Sequence, residues 1–148
     1  MSDITASETE KNRAIMKEAY QKWHDTKGGS VDHWMEIMSP DIEFLSLANG
    51  AGDAGFTKAA RSSTDMRGYF EAISTNFDMI HYTVDQFIAE GDMVVAVGSC
   101  AWTVKANGMR VETPKVDVIR LKDGKIVSFY EFYDTVGLQT AMASIPVG

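Results

Sequence analysis

Apolar residues recur at helical spacing along the first half of the chain. Beyond about Phe77 they alternate or run unbroken, as strands do. Ser7-Glu8-Thr9-Glu10 reads as a capping box. The helix behind it carries Ile15, Met16, Ala19, Tyr20 and Trp23 on one stripe and stops at Gly28-Gly29, where glycine closes helices at little cost. Ser30 heads a second, short helix with Val31, Trp34, Met35 and Met38 at i, i+3, i+4 and i+7, and Pro40 ends it. Ile42, Phe44 and Leu45 begin a strand, and a loop rich in glycine and alanine runs from Asn49 to Arg61. Ser62 or Thr64 caps a third helix through Met66, Tyr69, Phe70, Ile73 and Phe77. Four strands follow, over 79–89, 93–105, 110–121 and 125–133, separated by the turn pairs Gly91-Asp92, Asn107-Gly108 and Asp123-Gly124.

Helices followed by strands joined through tight turns predict an α+β layout, a single domain over 1–148 whose first seven residues are flexible. Strand residues are apolar on both parities, Val95, Val97 and Ala101 against Val94, Ala96, Cys100 and Trp102. A sheet covered on one face only should alternate more cleanly. The outer face is therefore expected to be covered by a second copy of the chain, giving a homodimer through the sheet.

At 148 residues with 45% apolar and 24% charged positions, the chain can bury one sizeable core. Fourteen basic residues stand against 21 acidic ones, a net charge of -7. That balance disfavours nucleic acid and anionic membranes as partners, since both need a positive footprint. The lone cysteine, Cys100, suits a reducing interior, and the start of the chain lacks the basic and apolar runs of a secretory leader. No apolar run approaches a membrane span. A cytoplasmic location is expected.

Several motifs carry chemistry in principle. Gly50-Ala-Gly52-Asp-Ala-Gly55 matches G-x-G-x-x-G, but a dinucleotide site needs a strand before it and a helix after it, and Phe56 to Asp65 reads as loop. A lid over a pocket fits better. His24, His33 and His81 are not at metal-ligand spacing, so no metal is expected. Cys100 lies in an apolar strand and no G-x-S-x-G elbow occurs, which leaves nucleophilic catalysis little support.

The informative group lies in the last hairpin. Lys115 and Asp117 share one strand face, as do Phe129, Glu131 and Tyr133 on the next. A two-residue Asp123-Gly124 turn pairs Lys122 with Lys125 and sets Asp117 and Glu131 on opposite faces. A three-residue turn pairs Leu121 with Lys125 and gathers the whole set on one face. The residues alone leave both registers open. Gathered in a dry cavity, two carboxylates, a lysine and a tyrosine can divide acid and base roles between them. On a solvated face, the same residues form an ordinary ion pair.

Met79-Ile-His-Tyr-Thr-Val84, Thr113-Pro-Lys-Val-Asp-Val118, Asp123-Gly-Lys-Ile126 and Phe129-Tyr-Glu-Phe-Tyr-Asp134 are similar to SnoaL-like and ketosteroid-isomerase-like members of the nuclear-transport-factor-two-like superfamily. The resemblance covers about residues 12–138 and implies a cone-shaped curved antiparallel sheet wrapped by three N-terminal helices, with a deep apolar pocket. It also implies frequent dimerisation through the sheet. Asp117 resembles the protonated aspartic acid of the isomerase oxyanion hole. Tyr20 matches the oxyanion-hole tyrosine if the Gly28-Gly29 turn is longer here. The isomerase's general base has no counterpart after Pro40, where Ser46 stands nearest. Glu131 resembles the last-strand acid of limonene epoxide hydrolases, whose Arg-x-Asp partner is replaced here by Gly98-Ser99-Cys100-Ala101. The family favours the register that brings Asp117 and Glu131 into one pocket.

The expectation is a cofactor-free acid–base enzyme, an isomerase, cyclase or dehydratase acting on a small apolar carbonyl or hydroxyl compound. Asp117 or Glu131 carries the proton, and Tyr20, Tyr133 and His81 donate hydrogen bonds. Lys115 tunes the carboxylates, and Phe129, Trp23 and Ser99 complete the ligand contacts. The alternative is a non-catalytic ligand-binding or dimerisation module of the same fold.

Overall fold

A computed structural model describes residues 5–143. Helix α1 (Ala6–Asp25) is capped by Thr5, whose hydroxyl accepts the Glu8 N–H at 3.1 Å. The capping pair is thus Thr5 with Glu8, two residues ahead of the expected Ser7–Glu10 box. Of the segment expected to be flexible, residues 6 and 7 lie in this helix with Thr5 as its cap, and residues 1–4 lie outside the described residues. Helix α2 (Val31–Ile37) leads directly into strand β1 (Met38–Ser46). A single 3-10 turn (Gly55–Thr57) precedes helix α3 (Ser63–Asn76), after which come β2 (Phe77–Glu90), β3 (Met93–Val104), β4 (Arg110–Lys122) and β5 (Lys125–Tyr133). A further helix, α4 (Thr135–Ala143), is absent from the apolar pattern; it starts where the Asp134 carboxylate accepts the Gly137 N–H at 2.9 Å.

The sheet is curled and unclosed, in the order β1-β5-β4-β3-β2. Only the β1–β5 edge is parallel; the other pairs form the antiparallel meander that the turn pairs predict. Pro40 lies inside β1 instead of before it. An edge strand tolerates its missing N–H, and the pairing skips from Met38–Ile126 to Glu43–Ser128 across it. Met16, Ala19, Tyr20 and Trp23 of α1, Trp34 of α2, and Met66 and Phe70 of α3 pack onto the inner face against Val94, Ile119, Ile126 and Phe129. Ala141 of α4 joins Phe77, Val104 and Val111 in a smaller cluster at one end.

Bulges decide which side chains face inward. In β5, Lys122 does pair with Lys125 around a two-residue turn, with Asp123 and Gly124 both at positive φ (51° and 76°). By itself that turn would have sent Glu131 outward. Leu121 pairs with Ile126, but Arg120 pairs with Ser128, so Val127 is an extra residue that switches the parity of everything after it. Asp117 and Glu131 end up directly opposite on the inner face. Neither of the two turn-based registers is the real one: the turn of the first coexists with the face assignment of the second.

In β2, Met79 pairs with Trp102 and His81 with Ala101, so Ile80 is extra; a second bulge lies between Val84 and Gln86. The first brings Tyr82 inward and leaves His81 outward. β2 crosses β3 so closely there that a Cβ on Gly98 would stand 1.9 Å from the Thr83 carbonyl oxygen, which only glycine allows.

Candidate active site

Five elements and the end of β1 converge on one buried polar cluster. Glu131 from β5 and Lys115 with Asp117 from β4 enter from the sheet floor, Ser46 from the end of β1, Tyr82 from β2, Tyr20 from α1 and Tyr69 from α3. The Lys115 Nζ lies between the carboxylates, 2.6 Å from Asp117 Oδ1 and 3.1 Å from Glu131 Oε2. Asp117 Oδ2 accepts the Tyr20 hydroxyl at 2.5 Å and the Tyr82 hydroxyl at 3.0 Å, and Tyr82 in turn accepts from Lys115 at 2.9 Å. Glu131 accepts from Ser46 Oγ at 2.7 Å and from the Tyr69 hydroxyl at 3.0 and 3.1 Å. Ser46 Oγ also meets the Tyr133 hydroxyl at 2.6 Å, and since Ser46 donates to Glu131, Tyr133 donates to Ser46.

Burial makes these bonds matter. Asp117 is 1% exposed, Glu131 5% and Lys115 9%, so an unmade bond would leave a charge in a low-dielectric site. Burial works against the Lys115 charge, but Asp117 and Glu131 together outweigh it and hold the ammonium well above 10.5. Burial, reinforced by the adjoining carboxylate, pushes the phenols of Tyr20, Tyr69 and Tyr82 well above their ordinary 10.0. Burial likewise raises the Cys100 thiol to about 11, so it is protonated and unreactive at neutral pH.

The raised phenols set an alkaline limit on stability. The folded chain holds these protons more tightly than the unfolded one, so their contribution is intact below pH 10.0 and is lost as pH rises through the raised values. Phenolate absorbance from the three should therefore appear in one cooperative step with the loss of near-ultraviolet circular dichroism. Gradual ionisation of every tyrosine with the fold intact would contradict this.

The cluster forms one wall of a cavity of about 110 Å³. An engineered apolar cavity of about 150 Å³ accepts benzene, so the space suits a compact molecule. Glu131, Lys115, Tyr69 and Tyr133 line it on the polar side, and all three tryptophans, Trp23, Trp34 and Trp102, on the apolar side. Phe56 of the 3-10 turn and Leu138 of α4 also line it. The Gly50–Gly55 run immediately precedes Phe56 and Thr57, which line the cavity. It opens a single 3-10 turn, not the helix that a dinucleotide site requires.

The sequence-predicted residues divide. Asp117, Glu131, Lys115, Tyr133 and Tyr20 come together, and Phe129 and Trp23 line the cavity beside them. Asp117 is not on the cavity surface: Lys115, Tyr20 and Tyr82 enclose it. Two residues lie elsewhere. His81 faces outward because of the Ile80 bulge, with its Nδ1 3.1 Å from Thr83 Oγ1. Ser99 faces outward because the inner residues of β3 are its even-numbered ones, Ala96, Cys100 and Trp102 among them. Tyr69, Tyr82 and Ser46 escape sequence reasoning as site residues. Tyr69 sits on an apolar helical stripe that reads as core, and only its hydroxyl, placed by tertiary packing, marks it out. Among the described residues, no three His, Cys, Asp or Glu side chains gather as metal ligands. His24 instead accepts the Tyr82 backbone N–H at 3.2 Å.

The family model for the SnoaL-like domain matches residues 17–129, from within α1 through most of β5. The chain belongs to the SnoaL-like family. Solved structures agree on the fold. An NTF2-like protein of Burkholderia thailandensis is 25% identical over 90% of this chain and 98% of its own, with a TM-score of 0.76. A Jannaschia protein assigned to the SnoaL-like polyketide cyclases is 18% identical, covering 99% of this chain and 98% of its own, with a TM-score of 0.75. TerC, crystallised with polyporic acid, is 20% identical over 90% of this chain and 99% of its own, with a TM-score of 0.74. No curated protein sequence matches. This SnoaL-like domain shares an architecture that hosts several chemistries, so its reaction has to be argued from its own cluster.

Proposed function

We propose that this SnoaL-like protein is a cofactor-free acid–base enzyme that moves a proton on a compact, largely apolar carbonyl or hydroxyl compound. One observation carries the reading: of the two buried carboxylates, Glu131 alone opens onto the aromatic-lined cavity. A Glu131 oxygen takes a proton from the carbon beside the substrate carbonyl, and the electron pair moves to the carbonyl oxygen. Once protonated, Glu131 accepts more weakly, which frees the Tyr69 hydroxyl to face the developing oxyanion. Protonated Glu131 then gives that proton to a second carbon, completing an isomerisation, or to a β-hydroxyl that leaves as water, completing a dehydration, while Ser46 and Tyr133 hold the carboxyl group in place. Asp117, held by Tyr20 and Tyr82, fixes the place of Lys115 and is a positioning residue.

The test reads proton exchange itself, whichever product the enzyme forms. Small cyclic ketones and 1,3-diketones are incubated in deuterated water and followed by proton NMR. The native protein should exchange a carbon-bound hydrogen faster than the Glu131→Gln variant does. Equal rates from both would sink the proposal.

The same reading includes a homodimer in the reducing cytoplasm. Two half-exposed rows cross the outer sheet face, Val95–Val118–Tyr130 and Val97–Val116–Phe132, and Ile88, 48% exposed, extends the first. Such an apolar patch suits an isologous pair. In sedimentation velocity the native chain should run as a dimer and Val97→Glu as a folded monomer. A monomeric native chain would refute it.

A further inference from the structure

We propose that the cavity takes a small organic cation, a protonated tertiary or quaternary amine, with its charge facing Glu131 and its methyl groups against the surrounding rings. This goes beyond the acid–base reading and borrows from it only the cavity as the ligand site.

Two carboxyl groups and one lysine are buried together, Asp117 at 1%, Glu131 at 5% and Lys115 at 9% exposure, so the acidic side chains outnumber the basic one. Glu131 is the less committed of the two acids. Lys115 makes its shorter contact to Asp117, 2.6 Å against 3.1 Å, and Asp117, which is off the cavity surface, also accepts from two phenols. Glu131 is the carboxylate on the cavity surface. Its field is felt there: after burial, the Glu131 charge is the leading cause raising the Tyr69 and Tyr133 phenols, ahead of the opposing pull of Lys115.

The walls supply the second half. Trp23, Trp34, Trp102, Phe44, Phe70 and Phe129 are among the rings that line the space. Ring faces carry negative quadrupole density and attract a cation that has lost its water, most strongly for tryptophan. The chamber already contains one such contact, with Lys115 Nζ 5.4 Å from the Tyr82 ring centroid. A methylated ammonium is less strongly hydrated than a primary one and largely apolar at its surface, so its desolvation costs less and the rings and Glu131 can offset it. A neutral molecule of the same shape gains only the apolar contacts, and an anion would place like charges together. The net charge of -7 attracts cations over longer range as well.

The probes are tetramethylammonium, tert-butanol as its neutral counterpart and pivalate as its anionic one, titrated into the full chain by calorimetry and by tryptophan fluorescence. Tetramethylammonium should bind saturably and change the emission, because all three tryptophans line the cavity. Tert-butanol and pivalate should bind at least about tenfold more weakly. Glu131→Gln should lose most of that preference. Charge selectivity is measured on the native chain, so the proposal stays open to refutation even if a variant does not fold. No saturable tetramethylammonium binding, or tert-butanol or pivalate binding as tightly, would overturn it. A native chain that shows charge selectivity but no hydrogen exchange would count only against the acid–base reading.

Discussion

Replacing Lys115 with methionine should cost about 3–5 kcal/mol of folding stability, the range seen when one partner of a buried ion pair is removed. The side chains are similar in volume, so packing contributes little of this. The loss comes from two carboxylates left opposite each other on adjoining strands, with their shared counter-ion gone and water excluded. Hydrogen bonds from Tyr20, Tyr82, Tyr69 and Ser46 remain, but they were made to carboxylates whose repulsion Lys115 had offset. Urea unfolding of the native and variant chains at neutral pH measures the cost. A cost below about 1 kcal/mol, typical of an exposed pair, would mean the cluster is far better hydrated than its burial implies.

Glu131→Gln should lower turnover by about 10²–10⁴-fold, the usual contribution of a positioned acid–base group. It should do so with a modest stability cost. The glutamine oxygen can still accept from Ser46 and Tyr69, and Lys115 keeps its shorter contact with Asp117. Asp117→Asn provides the contrast. Asp117 does not reach the cavity, so the substitution weakens the support of Lys115 and acts mainly on stability. Turnover assays paired with thermal unfolding of both variants separate the roles. Turnover of Glu131→Gln within about twofold of native would remove the glutamate from the chemistry and favour the ligand-binding module, since proton transfer without its carrier should lose at least tenfold.

Much of the fold was legible because it is written in local chemistry. Stripes at helical spacing marked α1, α2 and α3, since a helix must bury one face. The three turn pairs marked where antiparallel strands reverse. What escaped was α4, which carries little amphipathic pattern, and the parallel edge, because a pairing between β1 and β5 spans most of the chain and leaves no local mark. Residue types also singled out Lys115, Asp117 and Glu131, with Tyr133 on the same face, because charged residues between apolar neighbours such as Val116, Val118, Tyr130 and Phe132 are unusual in a buried hairpin.

The amino-acid order alone determined an acidic α+β domain with carboxylates and a lysine on its last hairpin, since composition, periodicity and turn chemistry act over a few residues. Tertiary structure alone decided where those groups point. A strand repeats every two residues, so the one extra residue at Val127 turns Glu131 inward, and the one at Ile80 turns Tyr82 in and His81 out. The energy that selects such a bulge comes from burying Phe129 and pairing Glu131 with Lys115, Tyr69 and Ser46. Those contacts join residues far apart in the chain, and they exist only once the sheet has curled around them.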